Sequence, residues 1–564
     1  MIKVGIRNIH YTILLPIVPL FFGLVLSFLL TAFLPGDPVL AYLPQIFTQE
    51  EYEAARHLLG YDQPLLMQFF KYLYQILSGN LGVTTEIETG QLIIATLTTR
   101  IPATIEYTIV PIVLGLIAGI ILGILSVRVR YRLIKLLIQI LIILGISIPI
   151  YALGMSAQYI FAYQLQLLPA VNDPFLPSSI LFIFTLLLTT RQVRSNYLKK
   201  SEEKHILSNS MQIIFNYSVL ITSIFLLEET FNIHGFFDLF IMAIYRTDYG
   251  LVRVCIFILF VFPAIILLLS NIVYTIYNYF LEERRSKIIT KYCGRTEEMV
   301  EEGTRYDFNT DQKFKDFTLY RLKSPLTLIG LAIVVFTAIV AIFPQILTPL
   351  TIQQVTDIYA GSWDSPSATH PLGQTNFGRD VLGLLAYGVS TSIKVCILPV
   401  LIGIAIGLLF GYLSKVHRWV KGLVLGLMVI FFTVPSIIVI LIFLNIIGRD
   451  ISITISIMAM YMVPWVTLLI SKGNYSVKLT TKKVIAYFPL FMAFSILLFE
   501  AIGFLGFSDL SLVQLGTNID IARSHIIIAP WATFWPSLAL SVLVIAFFML
   551  HYGLKEPIPI VRRT

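Results

Sequence analysis

Residues 111–126 read PIVLGLIAGIILGILS, and residues 399–414 read PVLIGIAIGLLFGYLS. The two stretches align without a gap, and a stripe of small residues on one helix face lets a neighbouring backbone approach closely inside a membrane. We therefore predict an all-α membrane protein with two tandem, related halves, in which the repeated glycines serve helix packing rather than contact a solute. These glycines are Gly115, Gly119, Gly123, Gly403, Gly407 and Gly411.

The composition supports a chain that crosses the membrane many times. Of 564 residues, 57% are hydrophobic and 13% are charged, whereas soluble domains carry about 25% charged residues. This excludes a disordered chain, a nucleic-acid-binding module and most soluble enzymes. Apolar stretches long enough to be spans fall six in each half, at 11–34, 104–126, 133–163, 178–190, 211–228, 251–280, 326–348, 390–414, 422–447, 451–471, 484–502 and 530–551.

The loops between these stretches predict the orientation. The short loops are rich in Lys and Arg, which accumulate on the cytoplasmic side, whereas the long loop 36–100 is acidic. We expect both termini to be cytoplasmic and loop 36–100 to be extracellular. Within it, Thr48 and Glu51 predict a capping box, and Leu65, Phe69, Tyr72, Leu73 and Ile76 predict an amphipathic helix on the membrane surface.

The domains follow from the same pattern. Residues 1–280 form a first six-span half, 281–323 a charged cytoplasmic linker, and 324–564 a second six-span half. Six spans per half give both repeats the same orientation, and such parallel repeats place a translocation path between the halves.

Four residues are candidates for that path. Glu229 and Glu500 are predicted to be symmetric residues near an outer gate, and Pro149 and Pro435 to be kinks bordering the path, because proline interrupts the helix ladder. No nucleotide-binding G-x-x-x-x-G-K-[ST] motif occurs, so any ATP chemistry must come from a partner. The three scattered cysteines indicate neither a disulfide framework nor a metal cluster. We predict no catalytic residue, metal, cofactor or nucleic-acid partner.

Several motifs resemble a known family. Residues 34–38 read LPGDP and residues 59–65 read LGYDQPL in the first half, and residues 370–382 read HPLGQTNFGRDVL in the second. Together they resemble the paired permease subunits of dipeptide/oligopeptide/nickel ABC importers, the inner-membrane components of binding-protein-dependent transport, here fused in one chain.

The resemblance implies a fold, a function and partners. The fold would be the type I ABC importer permease, with two intertwined six-helix bundles around a path open to each side in turn. The function would be import of peptides, or of a small chelated metal such as nickel, across the plasma membrane of a prokaryote. The partners would be an extracellular solute-binding protein and two ATP-binding subunits, with lipid around the spans.

One departure from the family pattern leaves alternatives open. The family couples to its ATPases through an E-A-A-x-x-x-G loop between the fourth and fifth spans, and neither half has it. The hypotheses are a fused importer permease, a permease-derived structural or accessory subunit of a larger membrane complex, and, with least support, a channel or ion-coupled transporter. Basic residues in these loops either face the ATPases or are ordinary orientation signals: Lys199, Lys200, Lys472, Lys478, Lys482 and Lys483.

Overall fold

The computed structural model describes residues 2–33, 36–129, 131–169, 174–198, 206–292, 324–359, 361–433, 435–471, 477–509 and 511–555. In these ranges the chain is helical, and its only β pairing is two isolated bridges, between Val83 and Leu92 and between Gln374 and Asp380. The helices of the first half are α1 (Ile2–Ala32), α2 (Gln49–Leu59), α3 (Leu65–Leu77), α4 (Ile93–Arg128), α5 (Arg132–Ser147), α6 (Ile150–Ala157), α7 (Phe175–Leu198), α8 (Ile206–Phe231), α9 (Phe236–Tyr245) and α10 (Tyr249–Tyr292).

The second half repeats this order without counterparts of α2 and α3. Its helices are α11 (Pro325–Ile342), α12 (Ile352–Thr356), α13 (Val381–Leu413), α14 (Arg418–Thr433), α15 (Ser436–Ile447), α16 (Ile451–Ser471), α17 (Val477–Phe504), α18 (Leu515–Arg523) and α19 (Pro530–Lys555). The short α12 lies in the loop that precedes α13.

Helix packing is duplicated as well as helix order. In the first half α4 packs along α7 and α1 along α10, and in the second half α13 packs along α16 and α11 along α19. The halves also contact each other, through α8 against α14 and through α5 and α6 against α19. One hydrophobic core therefore runs through both halves.

The apolar helices support a protein that crosses the membrane repeatedly. Among the described residues, eight helices are long and apolar enough to cross a membrane, or nine if a bent pair counts as one span. The twelve predicted spans also include α1, α8 and the pair α14–α15. The predicted linker 281–323 begins inside a helix, because α10 continues to Tyr292, and its part from 293 to 323 lies outside the described residues.

Two of the predicted spans are broken at proline. The stretch 133–163 is one predicted span with a kink expected at Pro149, and its two segments meet at an angle of 93°. Pro149 is the N-cap of α6, and Ile148 before it is extended, since proline disfavours the helical conformation in the residue that precedes it. Pro435 is likewise the N-cap of α15, so the stretch 422–447 is divided too.

The long loop of the first half is folded and ends at residue 92, where α4 begins. The Thr48–Glu51 capping box is present, and Gly60 ends α2 with a φ of 81°. We call the side of the bundle that carries α2, α3, α9 and α18 the loop side. The backbone N–H groups of Thr85, Glu86 and Ile87 all donate to the buried Asp248 carboxylate, which ties this loop to the start of α10.

Candidate functional site

The glycine stripe of α4 lies directly against the backbone of α7. A β-carbon at Gly119 would lie 2.8 Å from the carbonyl oxygen of Leu186, and one at Gly115 would lie 3.0 Å from that of Phe182. At Gly123 it would meet Val193. These glycines set how closely α4 and α7 approach.

The second half repeats the contact between α13 and α16. A β-carbon at Gly403 or Gly407 would lie 3.0 Å from the carbonyl oxygen of Ala459 or Val463, and one at Gly411 would meet Ile470. Even a polar contact is repeated, because the hydroxyls of Thr190 and Thr467 lie 3.3 Å from the carbonyl oxygens of Gly119 and Gly407.

Glu228 is a fully buried carboxylate near the end of α8, and it caps the short helix α9. Its Oε2 accepts hydrogen bonds from the backbone N–H groups of Phe237 at 2.8 Å and Asp238 at 3.0 Å. Its Oε1 accepts from the hydroxyl of Thr104 on α4. A carboxylate at a helix N-terminus is favoured by the unpaired N–H groups and by the helix dipole. Glu228 thus fixes α9 to both α8 and α4.

Glu500 does the same for the second half. It is fully buried in α17, and its Oε2 accepts from the backbone N–H of Gly516 in α18 at 2.6 Å. Its Oε1 accepts from the hydroxyl of Ser392 on α13 at 2.6 Å. Ser392 corresponds to Thr104 when the gap-free glycine alignment is extended toward the N-terminus. The constellation of buried glutamate, hydroxyl and short helix therefore occurs once in each half.

The predicted symmetry of Glu229 and Glu500 is corrected by this geometry, since Glu228 is the structural equivalent of Glu500. The sequence contains two adjacent glutamates at this point, Glu228 and Glu229, and the prediction paired Glu500 with the second of them. A helix turns by about 100° per residue, so Glu229 points away from Glu228, toward the other half. The hydroxyls of Thr104 and Ser392 were the missed signal, because they mark which helix face the buried carboxylate shares.

Glu229 joins the two halves. The guanidinium of Arg523 in α18 lies 2.6 Å from its carboxylate and donates a second hydrogen bond to its backbone carbonyl at 2.9 Å. Arg523 also pairs with Asp520 at 3.0 Å. Burial raises the pKa of the Asp520 carboxyl to about 6; the nearby Arg523 opposes this shift and Glu229 adds to it. One guanidinium therefore serves two acids at the junction.

Further contacts between the halves surround this pair on the loop side. The Tyr245 hydroxyl donates to the carbonyl of Leu505 at 3.1 Å, and its ring stacks on that of Phe507. Arg449 donates to the carbonyl of Gly506 and lies over both rings. We call Glu229, Tyr245, Arg449, Asp520 and Arg523 the seam cluster.

Deeper between the halves lies an aromatic pair that the sequence did not reveal. Tyr151 of α6 stacks on Phe504 of α17 with ring centroids 4.3 Å apart. The Tyr151 side chain is buried, and within the described residues its hydroxyl has no hydrogen-bond partner. Buried hydroxyls without a partner are rare in native proteins. Tyr151 follows the break at Pro149, which is buried, as is Pro435.

The remaining predicted residues are placed as follows. Lys199, Lys200 and Lys472 lie outside the described residues. Lys478 and Lys482 lie in α17, and Lys483 is half-buried there. Within the described ranges, no group of three or more His, Cys, Asp or Glu side chains is arranged to hold a metal ion.

The chain is similar in sequence to known membrane transport proteins. Residues 5–108 match the N-terminal part of the membrane components of binding-protein-dependent transport systems. A glutathione transport system permease protein, GsiD, of Pectobacterium atrosepticum is 24% identical over 254 residues, covering 40% of this chain and 84% of the relative.

Two more relatives agree. A dipeptide transport system permease protein, DppC, of Alkalihalophilus pseudofirmus is 25% identical over 264 residues, covering 42% of this chain and 85% of the relative. A putative peptide transport system permease protein of Brucella abortus is 27% identical over 289 residues, covering 45% and 91%. Most of each relative thus corresponds to less than half of this chain, as expected for two permeases in tandem. These matches support a multi-pass membrane permease similar to those of binding-protein-dependent ABC importers.

Proposed function

We propose that this chain supplies both transmembrane halves of an importer for peptides, with the path between the halves. The loop side faces outward and receives peptide from a solute-binding protein, and both termini are cytoplasmic. Two ATP-binding subunits bind the opposite side and hydrolyse ATP. The relatives are named as permeases for glutathione, dipeptides and peptides, which supports peptide over a chelated metal such as nickel as the cargo.

The single observation that carries this proposal is the duplicated cap. Glu228 with Thr104 and Glu500 with Ser392 fix α9 and α18 rigidly to their own halves. These two short helices carry Tyr245 and Arg523, which make contacts between the halves. A rigid element on each side of a breakable junction is what rigid-body opening requires.

The seam cluster then acts as the outer closure of the path. In the present arrangement the Arg523–Glu229 ion pair holds the loop side together, and it must break for a peptide to enter. Pro149 and Pro435 border the path as breaks at which α5–α6 and α14–α15 change their angle. Glu228 and Glu500 act as positioning residues, because their carboxylates are occupied by helix N-termini.

Tyr151 is the residue we assign to the cargo. When the halves part, its unpartnered hydroxyl becomes available to a peptide group. Tyr151→Phe should leave stability unchanged or raise it slightly, because it removes only an unsatisfied hydroxyl, and it should lower peptide uptake. The control is Tyr217→Phe, which removes a hydroxyl that donates to Leu259 O at 3.0 Å and should cost about 1 kcal/mol of stability. Wild-type uptake by Tyr151→Phe would remove Tyr151 from the path.

A second candidate function is favoured by the short connections on the side opposite the loop side. Helix α7 ends at Leu198 and α8 begins at Ile206, and α16 ends at Ser471 and α17 begins at Val477. The connections 199–205 and 472–476 are short for a helix that an ATPase could bind, even with their lysines directed toward the ATPase. This favours a permease-derived subunit that has lost coupling and serves a larger membrane complex.

Purification in mild detergent separates the two functions. The importer predicts that two ATP-binding subunits accompany the chain and that the complex turns over ATP in a vanadate-sensitive way. The accessory subunit predicts other membrane proteins in their place and no ATP turnover. Replacing Lys199, Lys200 and Lys472 in these connections, together with Lys478 and Lys482 at the start of α17, by Gln tests whether this side docks the ATPases, since binding should then weaken.

A further inference from the structure

Helix α3 has three distinct sides. Its predicted apolar face packs inward: Tyr72 is buried, its hydroxyl lies 2.8 Å from that of Ser27, and Phe69 meets the ring of Phe28 on α1. Its polar side faces α2, where Lys71 donates to the carbonyl of Leu59 at 2.8 Å. The third side is a continuous apolar stripe that is exposed: Leu66, Met67, Phe70, Tyr74 and Leu77.

The stripe is large and uncovered by the described residues. Phe70 is 54% exposed, Tyr74 72% and Leu77 77%. A contiguous apolar surface of this kind on a folded protein marks an interaction surface rather than a face turned to water. The helix carries no acidic residue, and its one cation, Lys71, is engaged with α2.

The contacts of α3 with α1 indicate how deep α3 lies in the membrane. The middle of α3 touches α1 at Ser27 and Phe28, so the two helices cross rather than run side by side. Phe28 lies four residues before the end of α1 at Ala32, which is about 6 Å along the helix axis. Interfacial helices bury their apolar face at about 5–10 Å, at the boundary of headgroups and acyl chains.

A half-buried cation supports this depth. The guanidinium of Arg253, near the start of α10, donates to the hydroxyl of Thr31 at 3.0 Å and lies over the rings of Phe28 and Tyr72. Arginine heads in membrane proteins reach for the interface. The crossing of α1, α3 and α10 is therefore placed at the edge of the hydrocarbon layer.

We propose that α3 is an interfacial helix whose exposed stripe, Leu66, Met67, Phe70, Tyr74 and Leu77, inserts into the lipid leaflet on the loop side. The occupant is lipid rather than a soluble partner, because α3 packs on α1, a predicted span whose apolar Ile17 and Phe21 are exposed as well. Three acidic side chains of the loop, Glu50, Glu51 and Glu53, lie on α2 instead, where they are exposed. The loop is thereby anchored beside the span to which it is attached.

Spin labels in liposomes of phosphatidylethanolamine and phosphatidylglycerol test this placement. The labels are attached to Phe70→Cys, Leu77→Cys and, as the control on the polar side of the same helix, Gln75→Cys. The background is Cys293→Ser, since Cys255 and Cys396 are buried. Labels at 70 and 77 should collide several-fold more with oxygen than with a water-soluble nickel chelate, and the label at 75 should show the opposite preference.

Two outcomes would overturn the proposal. One is nickel accessibility at 70 and 77 equal to that at 75, which places the stripe in water. The other is protection of 70 and 77 only after the solute-binding protein is added, which makes the stripe a protein-docking surface. Leu66→Cys provides a second report from the same stripe if a variant at 70 fails to fold, and gel filtration in detergent identifies such a failure.

Discussion

Arg523 and Glu229 form an ion pair of 2.6 Å that joins the second half of the chain to the first. Arg523 also donates to the carbonyl of Glu229, so the pair holds both the side chain and the end of α8. The side chains are 33% and 20% exposed. A pair that is largely shielded and has two hydrogen bonds is worth more than a surface ion pair.

A double-mutant cycle measures this pair. Glu229→Gln and Arg523→Gln should each lower the free energy of unfolding, and the double variant should lose less than the sum, with a coupling energy of about 0.5–3 kcal/mol. Denaturation in bicelles by increasing fractions of sodium dodecyl sulfate supplies the free energies. Strict additivity of the two substitutions would mean that the pair does not hold the halves together.

The duplicated caps predict that removing the hydroxyl donor of either cap lowers the stability of the protein by a similar amount. Ser392→Ala and Thr104→Val each remove a donor from a buried carboxylate, and each should cost about 1–3 kcal/mol of stability. Thr391→Val is the control, because in the described part of the chain that hydroxyl donates to a carbonyl of its own helix, that of Tyr387, and to no carboxylate. If both variants were as stable as this control, the caps would not fix α9 and α18.

The glycine stripes predict that replacing glycine by alanine lowers stability, although this substitution normally stabilises a helix. Gly119→Ala and Gly407→Ala should each cost about 1–3 kcal/mol, since the added methyl group meets the backbone of the next helix. Gly426→Ala on α14 has open space around it and should be neutral or stabilising by up to about 1 kcal/mol. Equal stabilities of the three variants would argue against close packing at the stripes.

Asp520 predicts a pH dependence of the seam cluster. Its pKa is raised in the folded protein to about 6 from an ordinary value near 3.8, so the folded state binds the proton more tightly than the unfolded state. Its ionised form therefore opposes folding above pH 6, and this penalty is relieved as the pH falls from about 6 toward 4.

Thermal unfolding of the wild type and of Asp520→Asn tests that sign. The stability difference between variant and wild type should be largest at pH 7 and should shrink toward pH 5, because Asn mimics the protonated acid. A difference that is constant between pH 7 and pH 5 would show that Asp520 does not titrate in this range.

The glycine repeat was a strong sequence signal because its spacing survives duplication and has one physical use. The same regularity made the order of helices predictable in both halves. A kink was predicted at Pro149, but its angle of 93° was not predictable, since proline limits a helix without specifying the angle at which the chain continues.

The site was harder to predict because it depends on which side chains share a helix face across distant segments. Glu228 and Glu229 are adjacent in sequence, yet one caps a helix in its own half and the other binds Arg523. The interface face of α3 was also misjudged: Tyr72 and Phe69 pack on α1, and a neighbouring stripe is left exposed. Hydrophobicity alone does not distinguish a face turned to protein from one turned to lipid.

Peptide uptake into proteoliposomes tests the central claim most directly. The chain is reconstituted with its ATP-binding subunits, with ATP inside and a labelled peptide and the solute-binding protein outside. We predict uptake that requires ATP and the binding protein and that vanadate abolishes. Absence of uptake from a complex that binds no ATP-hydrolysing subunit would contradict the account and favour an accessory role.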